Sequence, residues 1–374
     1  MPAPLETLTA RLARTRDATR AAGFDALLIT PSPDLRYLLG VDGESHERLT
    51  CLVLPGEGDP VLVVPALERP GLDGTPALEL GLEVAEWTDG QDPYALVADA
   101  LRRSGSPATR AAVGDTMPAA HVLALRDALP ACQQELASMV LAPLRMRKDS
   151  AEIAALAAAG KAIDRVHARM GEWLRVGRTE AQVGADVAAA IVEEGHTAAA
   201  FVIVGSGPNG ASPHHDVSAR VLQPGDLVVV DIGGPTPEGY FSDCTRTYCL
   251  DEPAAADVAA GYAVLQTAQD AAVAAVAPGV SAQQVDAAAR VPITDAGFGD
   301  RFIHRTGHGI GLDVHEQPYI VAGNDLVLEA GMAFSIEPGI YLPGRWGARI
   351  EDIVVVTDSG VTRLNHRPRE LVVL

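Results

Sequence analysis

Cysteine, positive charge and long apolar runs are all scarce in this chain of 374 residues. Its four cysteines form no C-x-x-C pair, which argues against a disulfide framework and against a thiolate zinc site. Acidic residues number 49 against 29 basic ones, and the net charge of −20 disfavours nucleic acid or an anionic membrane as a partner. No apolar run approaches the roughly 18 residues of a membrane span, and no signal peptide is visible. We therefore expect a cytoplasmic protein with reduced cysteines.

The length of the chain and its apolar fraction of 48% predict two well-cored domains. Alternating helix and strand patterns predict an α/β domain over residues 1–145, in which we find no catalytic constellation. The boundary is expected near residues 141–148. Just after it, Asp149 and Glu152 form a capping box that starts a long helix. The second domain is therefore expected to span residues 148–374.

A G-x-[ST]-x-x-Q-V motif occurs twice in the second domain, at residues 177–183 and 279–285. In each copy a Ser or Thr N-cap is followed three residues later by Gln, a pattern that starts a helix. Strand-like segments follow the two helices, at residues 200–204 and 302–304. The spacing of 102 residues between the motifs predicts an internal duplication. Its two halves would enclose a site along a shared axis.

Two aspartates stand out in the first half of this duplication. An apolar strand ends at Asp231, and a turn rich in proline and glycine leads to a second strand that carries Asp243. In an antiparallel hairpin the two carboxylates can lie on one face as near neighbours. Like charges there repel each other unless a metal ion lies between them. Either aspartate alone would be explained as well by a turn or by the protein surface.

The second half contributes one imidazole and two more acids. His308 lies between glycines, Glu337 ends an apolar strand and Glu351 begins another. Four carboxylates and one imidazole suit two divalent ions of the Mn²⁺, Co²⁺ or Zn²⁺ type. His304 and His308 have the i, i+4 spacing of a zinc-binding helix. However, Arg305 occupies the position of the catalytic glutamate, and the nearby glycines oppose a helix.

Two other functional classes are compatible with parts of the sequence. Gly205-Ser-Gly-Pro-Asn-Gly210 is a literal G-x-G-x-x-G after a strand, as in NAD-dependent oxidoreductases. The Ser-Pro-His-His that follows it cannot open the helix whose N-terminus would hold the pyrophosphate. The second alternative is a non-catalytic interaction protein that has the fold of a metalloenzyme but binds no metal. The complete set of ligand-type residues disfavours it.

The motifs D-x-G, S-D-x-T-R, G-H-G-I-G, H-E-x-P, E-P-G and R-I-E-D occur in that order between residues 231 and 352. In this order they resemble the pita-bread metallopeptidases, the group of methionine aminopeptidase, aminopeptidase P and prolidase. The resemblance implies an α/β (α+β) protein with a creatinase-like N-terminal α/β domain. A pita-bread catalytic domain with an internal pseudo-two-fold repeat would follow. The additional N-terminal domain favours the Xaa-Pro branch, that is, prolidase and aminopeptidase P.

The resemblance also implies roles for individual residues. The metal ligands would be Asp231, Asp243, His308, Glu337 and Glu351. The substrate-side histidines would be His214, His304 and His315, with His215 as the alternative to His214. Glu337 would also carry the proton of the attacking water, and Arg349 would hold a carboxylate ligand in place. Tyr319 stands where some prolidases carry an arginine that holds the free carboxylate of the substrate.

The function implied by this resemblance is that of a dinuclear-metal Xaa-Pro dipeptidase. Such an enzyme hydrolyses the bond before proline in Xaa-Pro dipeptides or short Xaa-Pro peptides. Aminopeptidase P, which acts on longer Xaa-Pro-Yaa peptides, is the alternative. The expected cofactors are two divalent ions per chain, with Mn²⁺ expected first and Co²⁺ or Zn²⁺ as alternatives. The expected partners are proline-containing peptides and a second copy of the chain in a homodimer.

Overall fold

The computed structural model describes residues 3–253 and 255–374. Two compact units divide between Arg145 and Met146. We call them the N-terminal unit and the C-terminal unit. Within the described residues, none of the helices is both long enough and apolar enough to cross a membrane.

The N-terminal unit is an α/β unit built on one mixed sheet. Its helices are α1 (Leu5–Ala21), α2 (Pro33–Leu39), α3 (Pro76–Glu79), α4 (Pro93–Arg103), α5 (Ala119–Ala128) and α6 (Ser138–Met146), at whose end the unit stops. Its strands are β1 (Ala26–Ile29), β2 (Cys51–Pro55), β3 (Val61–Pro65), β4 (Glu83–Trp87), β5 (Arg110–Val113) and β6 (Gln133–Leu136). The sheet order is β4-β3-β2-β1-β5-β6.

Buried apolar strands and capped helices explain this arrangement. Every residue of β1, β2 and β3 is buried, as expected for strands covered on both faces. Helix α4 begins where the Asp92 carboxylate accepts hydrogen bonds from the backbone N–H groups of Tyr94 and Ala95. The segment that the sequence analysis took for the boundary is largely helical, because α6 continues to Met146 despite an internal proline.

The C-terminal unit combines five helices with three antiparallel or mixed sheets among its described residues. Its helices are α7 (Ser150–Ala168), α8 (Met170–Trp173), α9 (Glu180–Glu193), α10 (Val258–Ala275) and α11 (Ala282–Asp295). Its strands are β7 (Phe201–Ser206), β8 (Leu227–Pro235), β9 (Phe241–Cys249), β10 (Gly307–Gly309), β11 (Glu316–Ile320), β12 (Ala333–Ile336), β13 (Gly339–Leu342), β14 (Trp346–Arg349), β15 (Asp352–Thr357), β16 (Gly360–Arg363) and β17 (Val372–Val373). The sheet orders are β17-β9-β8-β7, β11-β10-β12-β15-β16 and β13-β14.

The predicted duplication is present as matching backbone contacts in the two halves of this unit. The N–H of Gly177 donates to the carbonyl of Leu222 at 3.0 Å, and the N–H of Gly279 donates to that of Leu328 at 2.9 Å. The N-cap residue of α9 forms a β-bridge with Val221, and the N-cap residue of α11 forms one with Val327. Each half therefore anchors its second helix to the loop that leads into its sheet.

One predicted element differs between the halves. Residues 302–304 were expected to form a strand equivalent to β7, but they form an irregular segment after a short 3₁₀ turn. The backbone carbonyls of Phe302 and His304 accept hydrogen bonds from the Arg290 guanidinium instead of joining a sheet ladder. The strand of this region begins later, at Gly307.

Candidate active site

The first half of the C-terminal unit positions two carboxylates on neighbouring strands. Asp231 lies on β8 opposite Thr245, and Asp243 lies on β9 opposite Gly233. The two aspartates are therefore diagonal neighbours on one face of the sheet rather than a directly opposed pair. Both side chains are buried, at 9% and 4% exposure. Without a compensating cation, two ionised carboxylates in such a place are unfavourable.

The second half brings three more ligand-type side chains to the same place. His308 lies on β10, Glu337 directly follows β12, and Glu351 lies between β14 and β15. The Nε2 atom of His308 is 3.1 Å from a Glu337 oxygen and 3.6 Å from an Asp243 oxygen. Ligand atoms of Asp243, His308 and Glu351 all lie within 4.8 Å of one another. The five predicted ligands thus converge from both halves, since Asp231 and Glu337 line the same cavity as these three.

The glycines around His308 serve the packing of its strand. A side chain on Gly307 would overlap the carbonyl oxygen of Ser335, and one on Gly309 would overlap that of Gln317. Only glycine allows the neighbouring backbones to come this close. The backbone N–H of His308 also donates to the Ser335 hydroxyl at 3.0 Å. These contacts fix the short strand from which the imidazole reaches the cluster.

The cluster holds more buried negative charge than the protein groups around it compensate. Burial raises the pKa of Asp243 well above its usual range, and the charges of Glu351, Asp231 and Glu337 raise it further. Burial likewise raises the pKa of Glu351, with Glu337 and Asp231 adding to the effect. Burial also raises the pKa of Glu337, but its hydrogen bond to His308 and the charges of His308, His304 and Arg349 together leave that pKa below its ordinary value.

Two carboxylate oxygens of the cluster have no hydrogen-bond partner among the described residues. They are Oδ1 of Asp231 and Oε1 of Glu351, and both are buried. Buried oxygens of this kind need a hydrogen-bond donor or a cation. A mixed set of carboxylate oxygens and one imidazole nitrogen is suited to divalent ions of the Mn²⁺, Co²⁺ or Zn²⁺ type. The residues present therefore fit a divalent metal centre.

Arg349 connects the cluster to its surroundings. Its guanidinium donates to Oδ2 of Asp231 at 2.6 Å, to the Thr245 hydroxyl at 3.0 Å and to the Tyr341 hydroxyl at 2.9 Å. Thr245 in turn donates to Glu351 at 2.7 Å. The arginine is 2% exposed, and buried bonds of this geometry fix the orientation of both carboxylates.

His304 has both ring nitrogens engaged by protein groups. Nδ1 lies 2.7 Å from the carbonyl oxygen of Arg305, which can only accept, so Nδ1 carries the proton. Nε2 lies 2.8 Å from the Tyr341 hydroxyl, which donates to it while accepting from Arg349. Burial lowers the pKa of His304 to about 4, which keeps the ring neutral. In this arrangement His304 has no free N–H for the cavity.

The other predicted histidines also line the cavity, but in different ways. The His315 ring packs edge-on against that of His308, with centroids 4.2 Å apart, and burial lowers the pKa of His315 to about 4. His214 is exposed. Nε2 of His215 lies 2.8 Å from a carboxylate oxygen of Glu180. Of the two adjacent histidines, His215 is therefore held by the protein and His214 is presented to the cavity.

Glu180 is a buried carboxylate that the sequence analysis missed. It is the first residue of α9, and its oxygens accept hydrogen bonds from Ser206, Asn209, Ser218 and His215. The G-x-G-x-x-G segment thus supplies Asn209 to this carboxylate, and no α-helix occurs within residues 207–226. The only signal in the sequence was a glutamate at the first helical position, one residue after the capping Thr179.

A cavity of about 930 Å³ opens onto these groups. Its floor carries the five ligand-type side chains, and Arg349 lies beside them. One wall is apolar and includes Phe201, Val202 and Ile203 of β7. A cavity of this size, with an apolar wall and a few convergent polar groups, suits a small substrate such as a short peptide.

The chain is similar to known proteins over most of its length. The model of the family described as Metallopeptidase family M24 matches residues 154–358, and that of the Creatinase/Prolidase N-terminal domain matches residues 11–147. The chain is 58% identical over 369 residues to a probable dipeptidase PepE of Mycobacterium tuberculosis, covering 99% of this chain and 97% of that protein. It is 37% identical to an Xaa-Pro dipeptidase of Lactobacillus helveticus, over 94% of this chain and 95% of that protein. The crystal structure of dipeptidase PepE from Mycobacterium ulcerans superimposes with a TM-score of 0.95 at 59% identity, over 100% of this chain and 99% of that one.

Proposed function

Because the chain belongs to metallopeptidase family M24, we propose that it is a dipeptidase that cleaves the bond before proline in Xaa-Pro dipeptides. The family matches and the similar crystal structure confirm three predictions made from the motifs: the family, the enzyme class and the combination of a creatinase-like domain with a pita-bread domain. The names of the similar proteins, a probable dipeptidase and an Xaa-Pro dipeptidase, support the proposed substrate class.

The observation that carries the proposal is the buried convergence of four carboxylates and one imidazole at the floor of the cavity. We propose that the five predicted ligands, Asp231, Asp243, His308, Glu337 and Glu351, hold two divalent ions. Such ions supply Lewis-acid chemistry, which lowers the pKa of water and polarises a carbonyl. The orphaned oxygens of Asp231 and Glu351 support this assignment.

The proposed role of Glu337 is to take the proton of the attacking water and pass it to the leaving nitrogen. Its Oε1 atom contacts His308 at 3.1 Å and accepts from the Ser335 hydroxyl at 3.0 Å. These contacts fix the carboxylate in place, and its lowered pKa keeps it in the ionised form, the only form that can take up a proton. Arg349 keeps Asp231 in place.

The substrate-side histidines take different parts in this proposal. His315 is neutral and lies against His308, so its N–H can donate to the carbonyl oxygen of the scissile bond. His214 is exposed at the cavity and can contact the substrate backbone. His304 acts as a positioning residue, since its ring nitrogens hold Tyr341 and the backbone of Arg305. The apolar wall at Phe201 and Ile203 would receive the proline ring.

Several finer features belong to the same proposal. We infer that the ions are Mn²⁺, that the protein works as a homodimer in the cytoplasm, and that residues 1–145 and 148–374 are its domains. The four buried free cysteines suit a reducing compartment. The net charge of −20 disfavours binding to nucleic acid or an anionic membrane. Light scattering of the purified chain and metal analysis test the dimer and the ion.

The test of the proposed function is a substrate and metal panel. The full chain is assayed with Mn²⁺, Co²⁺ and Zn²⁺ on Ala-Pro, Ala-Ala and Ala-Pro-Ala. We expect about two ions per chain, preferred cleavage of Ala-Pro, and loss of activity with a chelator that added metal restores. Asp243→Ala should abolish activity and lower the metal content, whereas Asp295→Ala, which changes an exposed aspartate at the end of α11, should change neither. Undiminished hydrolysis after complete metal removal would refute the proposal.

Aminopeptidase P activity is the second candidate. The cavity is open and its apolar wall does not by itself exclude a longer peptide. Preferred cleavage of Ala-Pro-Ala over Ala-Pro in the same panel would favour this candidate. The family, the fold and the metal centre would be unaffected by that result.

A further inference from the structure

Arg305 differs from Arg349, the other arginine that lines the cavity. Arg349 is paired with Asp231, and the imidazole of His215 is paired with Glu180. The guanidinium of Arg305 has no carboxylate partner among the described residues, although 49 of the 374 residues of the chain are acidic. A cation held beside a small cavity without an internal anion is a site for an external one.

The position of Arg305 is fixed by an aromatic ring. Its guanidinium carbon lies 4.5 Å from the centroid of the Tyr319 ring, in a cation–π contact. Tyr319 pairs with His308 across β10 and β11, so the two side chains project from the same face of the sheet. The carbonyl of Arg305 is held in turn by Nδ1 of His304. The stacked arginine therefore lies on the cavity side, close to the metal-ligand cluster.

The positive charge of Arg305 also affects the pKa of His315 inside the site. Burial is the main cause of the low pKa of His315, and the positive charges of His308 and Arg305 lower it further. Arg305 is thus close to a residue that we place beside the scissile carbonyl. Phe201 and Ile203, which also line the cavity, offer only apolar surface. An anion entering with the substrate finds its counter-ion on the Arg305 side.

A dipeptide carries one such anion, its C-terminal carboxylate. In an Xaa-Pro dipeptide this group lies only one residue, roughly 3.8 Å of chain, beyond the scissile bond. In a longer peptide or in a peptide amide the same position is uncharged. A planar guanidinium can bind a carboxylate through two parallel hydrogen bonds, which an amide oxygen cannot match.

We propose that Arg305, stacked on Tyr319, binds the free carboxylate of the substrate and so selects dipeptides over longer peptides. This inference rests on the proposed function and deepens it. Some prolidases carry an arginine at the place of Tyr319. Here the tyrosine serves as the platform, and the cation comes from the preceding loop.

The test compares enzyme and substrate changes in one cycle. Arg305→Gln removes the cation, and alanyl-prolinamide removes the carboxylate from alanyl-proline. Arg301→Gln is the matched control, because Arg301 is an exposed arginine four residues away that does not line the cavity. We expect Arg305→Gln to lower kcat/KM on alanyl-proline about 10- to 100-fold, mainly through KM, and to change that on the amide less than about threefold. Arg301→Gln should change neither value.

An equal loss on both substrates, or no loss on either, would overturn the inference. A binding measurement separates it from the proposed function. The probes are reduced-bond analogues of alanyl-proline and its amide, in which a methylene replaces the scissile carbonyl, bound to the full metal-loaded chain. Tighter binding of the acid analogue that is lost in Arg305→Gln supports the carboxylate site even if neither substrate is hydrolysed. In that case the proposed function fails while the carboxylate site stands. Equal Kd values for the acid and the amide analogue would refute the carboxylate site itself.

Discussion

Replacing Glu180 by glutamine is expected to destabilise the C-terminal unit by about 3 kcal/mol. The Glu180 side chain is fully buried. It accepts hydrogen bonds from the backbone and hydroxyl of Ser206 at 2.8 and 2.6 Å and from the hydroxyl of Ser218 at 2.5 Å. The Asn209 amide at 3.1 Å, the His215 ring at 2.8 Å and the backbone N–H of Ser218 at 3.2 Å also bind this carboxylate. Glutamine would present an NH₂ group to donors that need an acceptor, and would leave some of them unpaired.

The magnitude follows from the pKa of the carboxyl group. Burial raises the pKa of Glu180, but the hydrogen bonds from Ser206, Ser218 and His215 outweigh it and lower the pKa from 4.5 to about 2. At about 1.36 kcal/mol per pKa unit, the ionised form contributes about 3 kcal/mol to the free energy of unfolding. Because the folded pKa lies below the unfolded one, this contribution is present above about pH 4.5 and is lost as the pH falls towards 2. The charge of Arg220 also faces Glu180 and is kept in both variants.

The assay is thermal unfolding of the full chain and of Glu180→Gln at pH 7 and at pH 3.5. We expect Tm to fall by roughly 6–12 °C in the variant at pH 7 and the difference to shrink at pH 3.5. Glu193→Gln is the control, because this glutamate lies on the same helix at 64% exposure and should change stability by less than about 0.5 kcal/mol. A Tm difference that is small at pH 7, or that grows as the pH falls, would refute the reasoning.

Three further substitutions test other contacts of the C-terminal unit. Arg349→Lys cannot hold Asp231 and Thr245 together, so metal affinity or kcat should fall about 10- to 100-fold, and an unchanged metal titration would contradict this. Tyr341→Phe removes the hydroxyl that lies between Arg349 and His304. The free energy of unfolding measured in urea should fall by about 1–3 kcal/mol, and an unchanged midpoint would show that this link is dispensable. Gly307→Ala places a methyl group on the Ser335 carbonyl and should lower Tm and soluble yield, and a wild-type Tm would show that the strands can separate at no cost.

Local patterns predicted most of the regular elements. The buried strands β1 to β3, the capped helices α4, α7 and α9 and the hairpin of β8 and β9 each follow from apolar runs, N-cap residues or turn residues. The strands β4 and β6 have half-exposed, polar sequences without a clear period, and they were not predicted. Their place in the sheet is set by pairing with β3 and β5, which local sequence does not encode.

The metal-ligand residues could be proposed from the sequence because each lies in a recognisable motif. The expectation that the strand ends at Asp231 was wrong, because β8 continues to Pro235 through its pairing with β9. The sequence also located the histidines around them, but it could not assign their contacts. His304 is a neighbour of the site in sequence, yet its ring is committed to Tyr341, which lies 37 residues away. Only the folded chain decides which nitrogen is free.

The sequence by itself determined the family, the order of the two domains and the identity of the acids and the imidazole that could hold metal. The tertiary structure decided which charges are paired. It set Arg349 on Asp231, enclosed Glu180 in hydrogen bonds from residues 206–218, and left Arg305 on Tyr319 without an internal carboxylate among the described residues. Local patterns reflect neighbours along the chain, whereas these contacts join residues that are distant in sequence. The contact between Arg349 and Asp231 spans 118 positions and forms only when the two halves come together around the site.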